Sequence, residues 1–448
     1  MRSRLRLGWP ILVALALRIA LVLGFSSSAA DGEQYVLLGR NLRLHRTLSL
    51  DPVLGTVPTY ARNPGYPAVI AAMGQLDGST DRLDLIRHLA LLNCACDALT
   101  CAALLLIALR LGLGRRAAVV AGLVYALWPV AWWFTPYVLT ESLATALGTW
   151  ALAIALGEGR TLARGAAVGA LLGVGYLVRV DVLTLLPAAA IALAVRGGGR
   201  RLQAVAALGL GVLLVAAPWW ARNLARFGAL RPIGSEWVDR YGHALPTCYT
   251  RWFRTWCAGR AIDGDYAGAL FWRYGRAGEF VYSFMADGAD ALDELKALTA
   301  RVDTPLGIEV AAPSFCALAD ERAREHPLRT WLGLPLRRAR QLFLLPRAIE
   351  YPMRPAWLER PRVRVALGAL NVGLWGLAAL AALLGLRRVR QEPLCAVLPV
   401  AIVARVVLHA YAVPQFVGPR FVVEAAPLAA VLIAQLGVLM RSSRRSTL

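Results

Sequence analysis

Apolar runs of near membrane-spanning length recur along the whole chain, and nothing else in the sequence constrains its fold as strongly. They cover residues 8–25, 86–109, 117–134, 137–156, 165–178, 182–195, 204–221, 363–386, 394–412 and 421–440. A bilayer core about 30 Å thick takes roughly 20 apolar residues to cross as a helix. Inside it, only helices and closed barrels satisfy every backbone polar group. Runs this long and unalternating select the helix. The expected fold class is therefore an all-α polytopic membrane protein with about ten transmembrane helices.

Charge placement orients these spans. Six arginine clusters, at residues 2–6, 110–116, 160–164, 196–201, 387–390 and 441–445, share one face if the chain starts inside. The positive-inside rule then puts both termini in the cytoplasm, which requires an even number of spans. Two long stretches are left on the outer face, residues 26–85 and 222–362. The second is too long for a connection and is expected to form a domain of its own. The chain thus divides into an N-terminal bundle (1–221) carrying the first outer loop (26–85), an extracytoplasmic helical domain (222–362) and C-terminal spans (363–448). Within the outer domain, residues 287–301 and 314–325 carry apolar side chains at helical spacing. Residues 328–345 read as an amphipathic helix on the membrane surface, with Arg337, Arg338 and Arg340 toward lipid head groups. Arginines before residue 8 and the small residues at 26–30 imitate a signal peptide. Cleavage there would detach the first helix from the loop it introduces, so an uncleaved span is expected.

Composition narrows the function classes. Charged residues make up 17% of the 448, against about 25% in soluble domains. The net charge of +21 comes from arginine, since Lys296 is the only lysine. These arginines are scattered at helix ends and loops, which argues against nucleic-acid binding. Coding bias accounts for part of the excess; phosphate recognition, for which the guanidinium fork is suited, accounts for the rest. The seven cysteines have no metal-ligand spacing, the histidines are dispersed, and no metal site is expected. Cys94, Cys96 and Cys101 lie in an apolar run as structural thiols. Cys248 and Cys257, on the outer stretch, can bridge in an oxidising compartment. There is no glycine-rich phosphate loop and no nucleophile elbow, which disfavours a nucleotide-driven pump or a serine hydrolase.

Charges within or beside apolar spans are the functional candidates. Arg18 and Arg405 lie on the order of 10 Å below the outer surface, at 1.5 Å of rise per residue. Asp97 is deeper. Arg179 and Asp181 flank an outer turn, and Arg222 and Arg420 mark outer span ends. Several arginines therefore converge on the outer leaflet without a matching excess of acids. That arrangement suits a lipid-linked phosphate, although each arginine could also snorkel or pair with Asp97 or Asp181. In the first loop, Asp31 and Glu33 open an amphipathic segment, and either carboxylate could serve as a base; Asp31 could also simply cap the helix. Glu141 begins a span after a Pro-interrupted aromatic stretch, where the helix dipole alone explains an acid.

Together these residues resemble a family. Asp31-x-x-x-Tyr35-x-x-Leu38 followed by Arg62-x-Pro64-Gly65-Tyr66-Pro67 is similar to the first outer loop of GT-C glycosyltransferases. Within them, the bacterial protein-mannosyltransferase-like and aminoarabinose-transferase-like branch is nearest. Thr140-Glu141, Gly175-x-Leu177-x-Arg179, Pro218-Trp219-x-x-Arg222-Asn223 and Arg420-Phe421 extend the likeness along the chain. Gly32 separates Asp31 from Glu33 where many relatives have adjacent acids. The resemblance implies inverting transfer of a sugar from a polyprenyl-phosphate donor to a hydroxyl of a cell-envelope acceptor. It implies Asp31 or Glu33 as the base, with Tyr35, Arg62, Tyr66, Glu141, Arg18, Arg179, Arg222, Arg405 and Arg420 around the donor. The activated donor makes a nucleotide unnecessary, and a divalent metal is left open. The expected location is a bacterial inner membrane with the active site facing outside. A flippase of lipid-linked sugars and an O-antigen polymerase or ligase are the competing readings.

Overall fold

A computed structural model describes residues 2–25, 30–77, 82–228, 230, 247–257, 289–300, 305–343, 360–412 and 419–445. Much of the expected outer segment and the small-residue run at 26–29 lie outside these. The described elements are helical. In chain order they are α1 (Arg2–Gly24), α2 (Ala30–His45), α3 (Gly65–Asp77), α4 (Arg82–Arg110), α5 (Gly114–Leu127), α6 (Pro129–Trp132), α7 (Glu141–Ala155), α8 (Thr161–Val178), α9 (Leu186–Gly197) and α10 (Arg201–Phe227). There follow α11 (Thr247–Arg254), α12 (Ala289–Ala300), α13 (Pro305–Glu325), α14 (Leu334–Phe343), α15 (Pro361–Leu386), α16 (Val397–Tyr411) and α17 (Ala426–Arg445).

Among the described residues, seven stretches are helical, long and apolar enough to cross a membrane. The protein is an integral membrane protein. One stretch, Val180–Phe227, runs to 48 residues and reverses at its glycines, with Gly198 at a φ of 54°. It therefore supplies two spans, the second being α10. The remaining expected spans correspond to α5 and α7, of 14 and 15 residues, which are short by the length criterion. Helix α4 packs on α1, α5 and α7; α7 in turn packs on α8, and α17 closes the bundle against α5 and α15.

The tightest helix pair is α8 with α10, and glycine explains it. Gly165, Gly169 and Gly173 form one stripe of α8, four residues apart, facing α10. A methyl at Gly169 would collide with the Leu208 carbonyl oxygen, and one at Gly211 would sit 2.7 Å from the Ala166 oxygen. Small residues let helix backbones approach closely in a bilayer, where apolar burial between helices gives little drive. This contact fixes the C-terminal end of α8, which carries Arg179.

Between α10 and α15, α11 packs on α13 through Tyr249, Trp252 and Phe315, whose rings are 5.0–5.3 Å apart. Cys248 is bonded to Cys316, so the expected Cys248–Cys257 bridge is not formed; Cys257 is buried. The reason is helical: Cys316 lies on the face of α13 that meets α11, a pairing that sequence distance conceals. Arg338 does not face head groups either. It is buried in α14 and donates to the carbonyls of Cys257 (2.9 Å) and Ala410 (3.0 Å), tying the outer segment to the end of α16. Leu328, Trp331, Leu332 and Leu336 are the apolar side chains exposed around the start of α14.

Gly169→Ala should lower the thermal stability of the detergent-purified protein, by about 1–3 kcal/mol if the helices resist separation. Gly209→Ala, in open space on the same helix pair, should leave it unchanged. Equal melting temperatures for the two variants would contradict this packing.

Candidate active site

The site begins with one face of α2. Asp31, Gln34, Tyr35 and Leu38 stand at i, i+3, i+4 and i+7, so one helical stripe points inward. Glu33, two residues on from Asp31, falls on the exposed side. Helix geometry alone thus separates the two acids. Leu38 packs with Leu48, Tyr176 and Trp219, anchoring α2 to α8 and α10.

The returning loop is seated by its motif. Asn63 donates its amide to the Tyr176 carbonyl at 2.6 Å. Gly65 lies against the Leu177 backbone so closely that a Cβ would come within 2.7 Å of it, so only glycine fits. Pro64 and Gly65 then start α3. This seat aims Arg62 at α2, where it donates to Asp31 Oδ1 (3.0 Å) and, through Nε, to Gln34 (3.1 Å). Its guanidinium also lies 5.5 Å from the Tyr35 ring centroid, and Tyr35 meets Tyr66 edge-on at 5.4 Å.

Beyond Asp31 the cluster continues as alternating charges. Arg420 donates to Asp31 Oδ2 at 2.8 Å and, through Nε, to Glu141. Arg179, extended at the end of α8, donates to Glu141 (3.3 Å), to Thr140 Oγ1 (3.2 Å) and to Asp181 (2.9 Å). Arg405 pairs with Asp181 at 2.9 Å and with Glu424, which also lies 2.9 Å from Arg179. His409 Nε2 stands 3.4 Å from Asp181. The expected surplus of cations is therefore absent here: Arg62, Arg179, Arg405 and Arg420 are matched by Asp31, Glu141, Asp181 and Glu424. Burial by itself would raise the Asp31 pKa. Arg62, Arg420 and Arg179 outweigh it and hold the carboxyl well below the usual range. About a third of its side chain, 31%, stays open. Among the described residues, no three His, Cys, Asp or Glu are grouped to hold a metal ion.

Two predicted arginines lie elsewhere. Arg18 is fully buried and donates from Nε to Asp97 at 3.0 Å. Asp97 also accepts from Thr135, so this pair joins α1 and α4 to the turn before α7. Arg222 donates to the Thr59 carbonyl (2.8 Å) and lies over Trp219. It lines a cavity of about 480 Å³ together with Arg46, Arg226, Leu177, Val215 and Trp219. Pro64 also lines it, so the turn that carries Arg62 separates this cavity from the charge cluster. Among the described residues, no carboxylate lines it. Along α10, Val215, Trp219, Arg222 and Arg226 follow one another at helical spacing, grading one wall from apolar to cationic.

Sequence reasoning missed Glu424, His409 and Gln34. Glu424 had a usable signal, an acid in the apolar run Phe421-Val422-Val423, where a charge is costly without a partner. Gln34 and His409 had none beyond helical phase.

No protein-family model and no curated protein sequence matches the chain. Solved structures do. An Archaeoglobus fulgidus oligosaccharyltransferase tethered to an acceptor peptide containing an NVT sequon aligns with a TM-score of 0.54 at 12% identity, over 98% of this chain and 50% of that one. The archaeal oligosaccharyltransferase AglB from the same organism, in complex with an inhibitory peptide and a dolichol-phosphate, gives 0.52 at 14% identity, over 100% and 52%. ArnT from Cupriavidus metallidurans bound to undecaprenyl phosphate gives 0.42 at 15%, over 97% and 79%. The chain spans about half the length of the oligosaccharyltransferase structures it matches.

The Arg18–Asp97 pair generates a test. Arg18→Met should destabilise the protein by about 3–5 kcal/mol, because Asp97 is left charged and buried. Adding Asp97→Asn should restore most of the melting temperature. If the double variant melts no higher than the single one, the pair is not what holds this part of the bundle. The two oligosaccharyltransferase alignments show that the chain has the fold of the part of those structures that it covers.

Proposed function

We propose that the protein transfers a sugar from a polyprenyl-phosphate donor to a hydroxyl of a cell-envelope acceptor, at the outer face of a bacterial inner membrane. The observation that carries this reading is one juxtaposition. A partly open carboxylate, Asp31, is held by arginines, and the turn that carries one of them, Arg62, also carries Pro64, which lines an amphipathic cavity whose described lining has three more arginines and no acid. An activated sugar on a lipid phosphate fits both halves. Its hydrocarbon chain would lie along Leu177 and Val215, with its phosphate reaching from Arg222 past the Pro64 turn toward Arg420.

The chemistry then needs little else. Asp31 accepts the proton of the acceptor hydroxyl as that oxygen bonds to the anomeric carbon. The bond from that carbon to the phosphate oxygen breaks, and its electron pair leaves with the polyprenyl phosphate. Fixed guanidinium groups meet the charge that develops there. Arg62, Tyr35 and Tyr66 place Asp31; Glu141 with Arg179 sets the position of Arg420. Asp31 is the base in preference to Glu33, which sits on the far side of α2. The dolichol-phosphate and undecaprenyl phosphate held by the structural neighbours are donors' carriers of this same class. A transporter would be expected to place its polar site within broken helices near mid-membrane. Here Asp31, Glu141, Arg179 and Arg420 all sit at helix ends.

Asp31→Asn keeps the shape of the side chain and one acceptor oxygen but cannot accept the proton. Transfer should fall by about 10²–10⁴ while polyprenyl-phosphate binding persists. The product is first identified by mass spectrometry of envelope glycans from a deletion strain, then followed in membranes from the two proteins. Near-normal turnover by the variant would remove Asp31 from the mechanism.

A further inference from the structure

The four cluster arginines are not equivalent. Arg62, Arg179 and Arg405 have only 8%, 7% and 3% of their side chains exposed, whereas Arg420 has 27%. Arg62 is also gripped by Gln34, and Arg405 donates to the Phe421 carbonyl. Arg420 holds Asp31 and Glu141, one with each arm of its guanidinium. Both acids keep another cation if it departs. Asp31 retains Arg62, and Glu141 retains Arg179. Arg420 is thus the cluster cation with the most open side, and its departure strands no buried charge.

A carboxylate clamped by two guanidinium groups is a weak base, because each charge-assisted hydrogen bond must be loosened before it can take a proton. The site as it stands is therefore well ordered but poorly reactive. An incoming phosphate competes for Arg420 on favourable terms, since a guanidinium binds phosphate through two parallel bonds.

From this we infer that Arg420 is an exchangeable latch: the donor's phosphate draws it off Asp31, and only then can Asp31 act on the acceptor. The inference rests on the polyprenyl-phosphate reading above and adds an order to it, donor before acceptor. It also gives Arg420 two successive partners. Before transfer it silences the base; during transfer it meets the charge on the departing phosphate. Proton uptake by Asp31 and the loss of the leaving group are thereby coupled through one side chain. An acceptor arriving first meets a carboxylate that cannot deprotonate it.

The test reads Asp31 without needing the sugar or the acceptor. The full chain in nanodiscs is treated with a water-soluble carbodiimide and an amine, which together modify carboxyl groups through their protonated form. Modification of the Asp31 peptide is followed by mass spectrometry, with the exposed Asp293 as internal reference. Undecaprenyl phosphate, without sugar, is the probe, and its binding to the same sample is measured by native mass spectrometry. Release of Arg420 should speed modification of Asp31 by about tenfold, the scale of losing one charge-assisted hydrogen bond. Arg420→Ala should show the faster rate without lipid and gain nothing when lipid is added. Bound lipid that leaves the wild-type rate unchanged, or lowers it, overturns the latch and leaves the donor reading standing. A variant that is modified at the wild-type rate overturns it as well. No binding of the lipid to the wild-type protein overturns the donor reading, and the latch with it. The comparison of wild type with and without lipid decides the matter even where the variant does not fold.

Discussion

Mutual neutralisation of buried charge holds the site end of this protein together. An isolated guanidinium or carboxylate between helices would carry a desolvation cost of several kcal/mol. Arg179 and Arg405 escape it because Asp181, Glu141 and Glu424 meet them, each acid bonded to more than one group. These residues come from the N-terminus of α7, the end of α8, the turn after it, α16 and the turn before α17. The network can form only when all five are in place, so the same contacts that satisfy the charges also fix the helices. Arg420 extends it outward to Asp31 and hence to α2. Asp31 is in this way tied to the buried network.

The packing beneath the network has a different origin and is equally specific. The glycine stripe of α8 draws α10 close, which sets the end of α8, which in turn seats Gly65 and Asn63 of the returning loop. Arg62 reaches Asp31 because of that seat. The cavity beside it is bounded by the same elements, with α10 supplying both its apolar wall and two of its arginines. Helix packing and loop geometry therefore set the Arg62–Pro64 turn, with the cavity at α10 on one side of it and the charge cluster on the other. Arg338 bonds backbone of both α16 and the segment after α11, and so ties the two together.

Much of this could be read in the chain, because it depends on local phase. The spans follow from apolar length, and the inward stripe of α2 from residues three and four apart. The turn at Arg62–Pro67 follows from proline and glycine bracketing a charged residue. What could not be read depends on which distant segments meet. Arg18 and Arg405 have similar sequence settings, an arginine part-way along an apolar run, yet one pairs with Asp97 inside the bundle and the other joins the cluster. Arginine depth therefore does not report arginine address. The apparent shortage of acids came from counting loop carboxylates and passing over Glu424 within its span. Cys248 likewise found Cys316 across a helix interface, not the nearer Cys257.

The central claim is that a polyprenyl phosphate occupies the cavity across the Arg62–Pro64 turn from Asp31. A cryo-electron microscopy structure of the protein with undecaprenyl phosphate addresses it most directly. The account predicts a hydrocarbon chain along Leu177 and Val215, with the phosphate between Arg222 and Arg420 on either side of the turn that carries Arg62 and Pro64. Lipid-phosphate density bound away from both arginines, with the cavity between α2 and α10 empty, would contradict it.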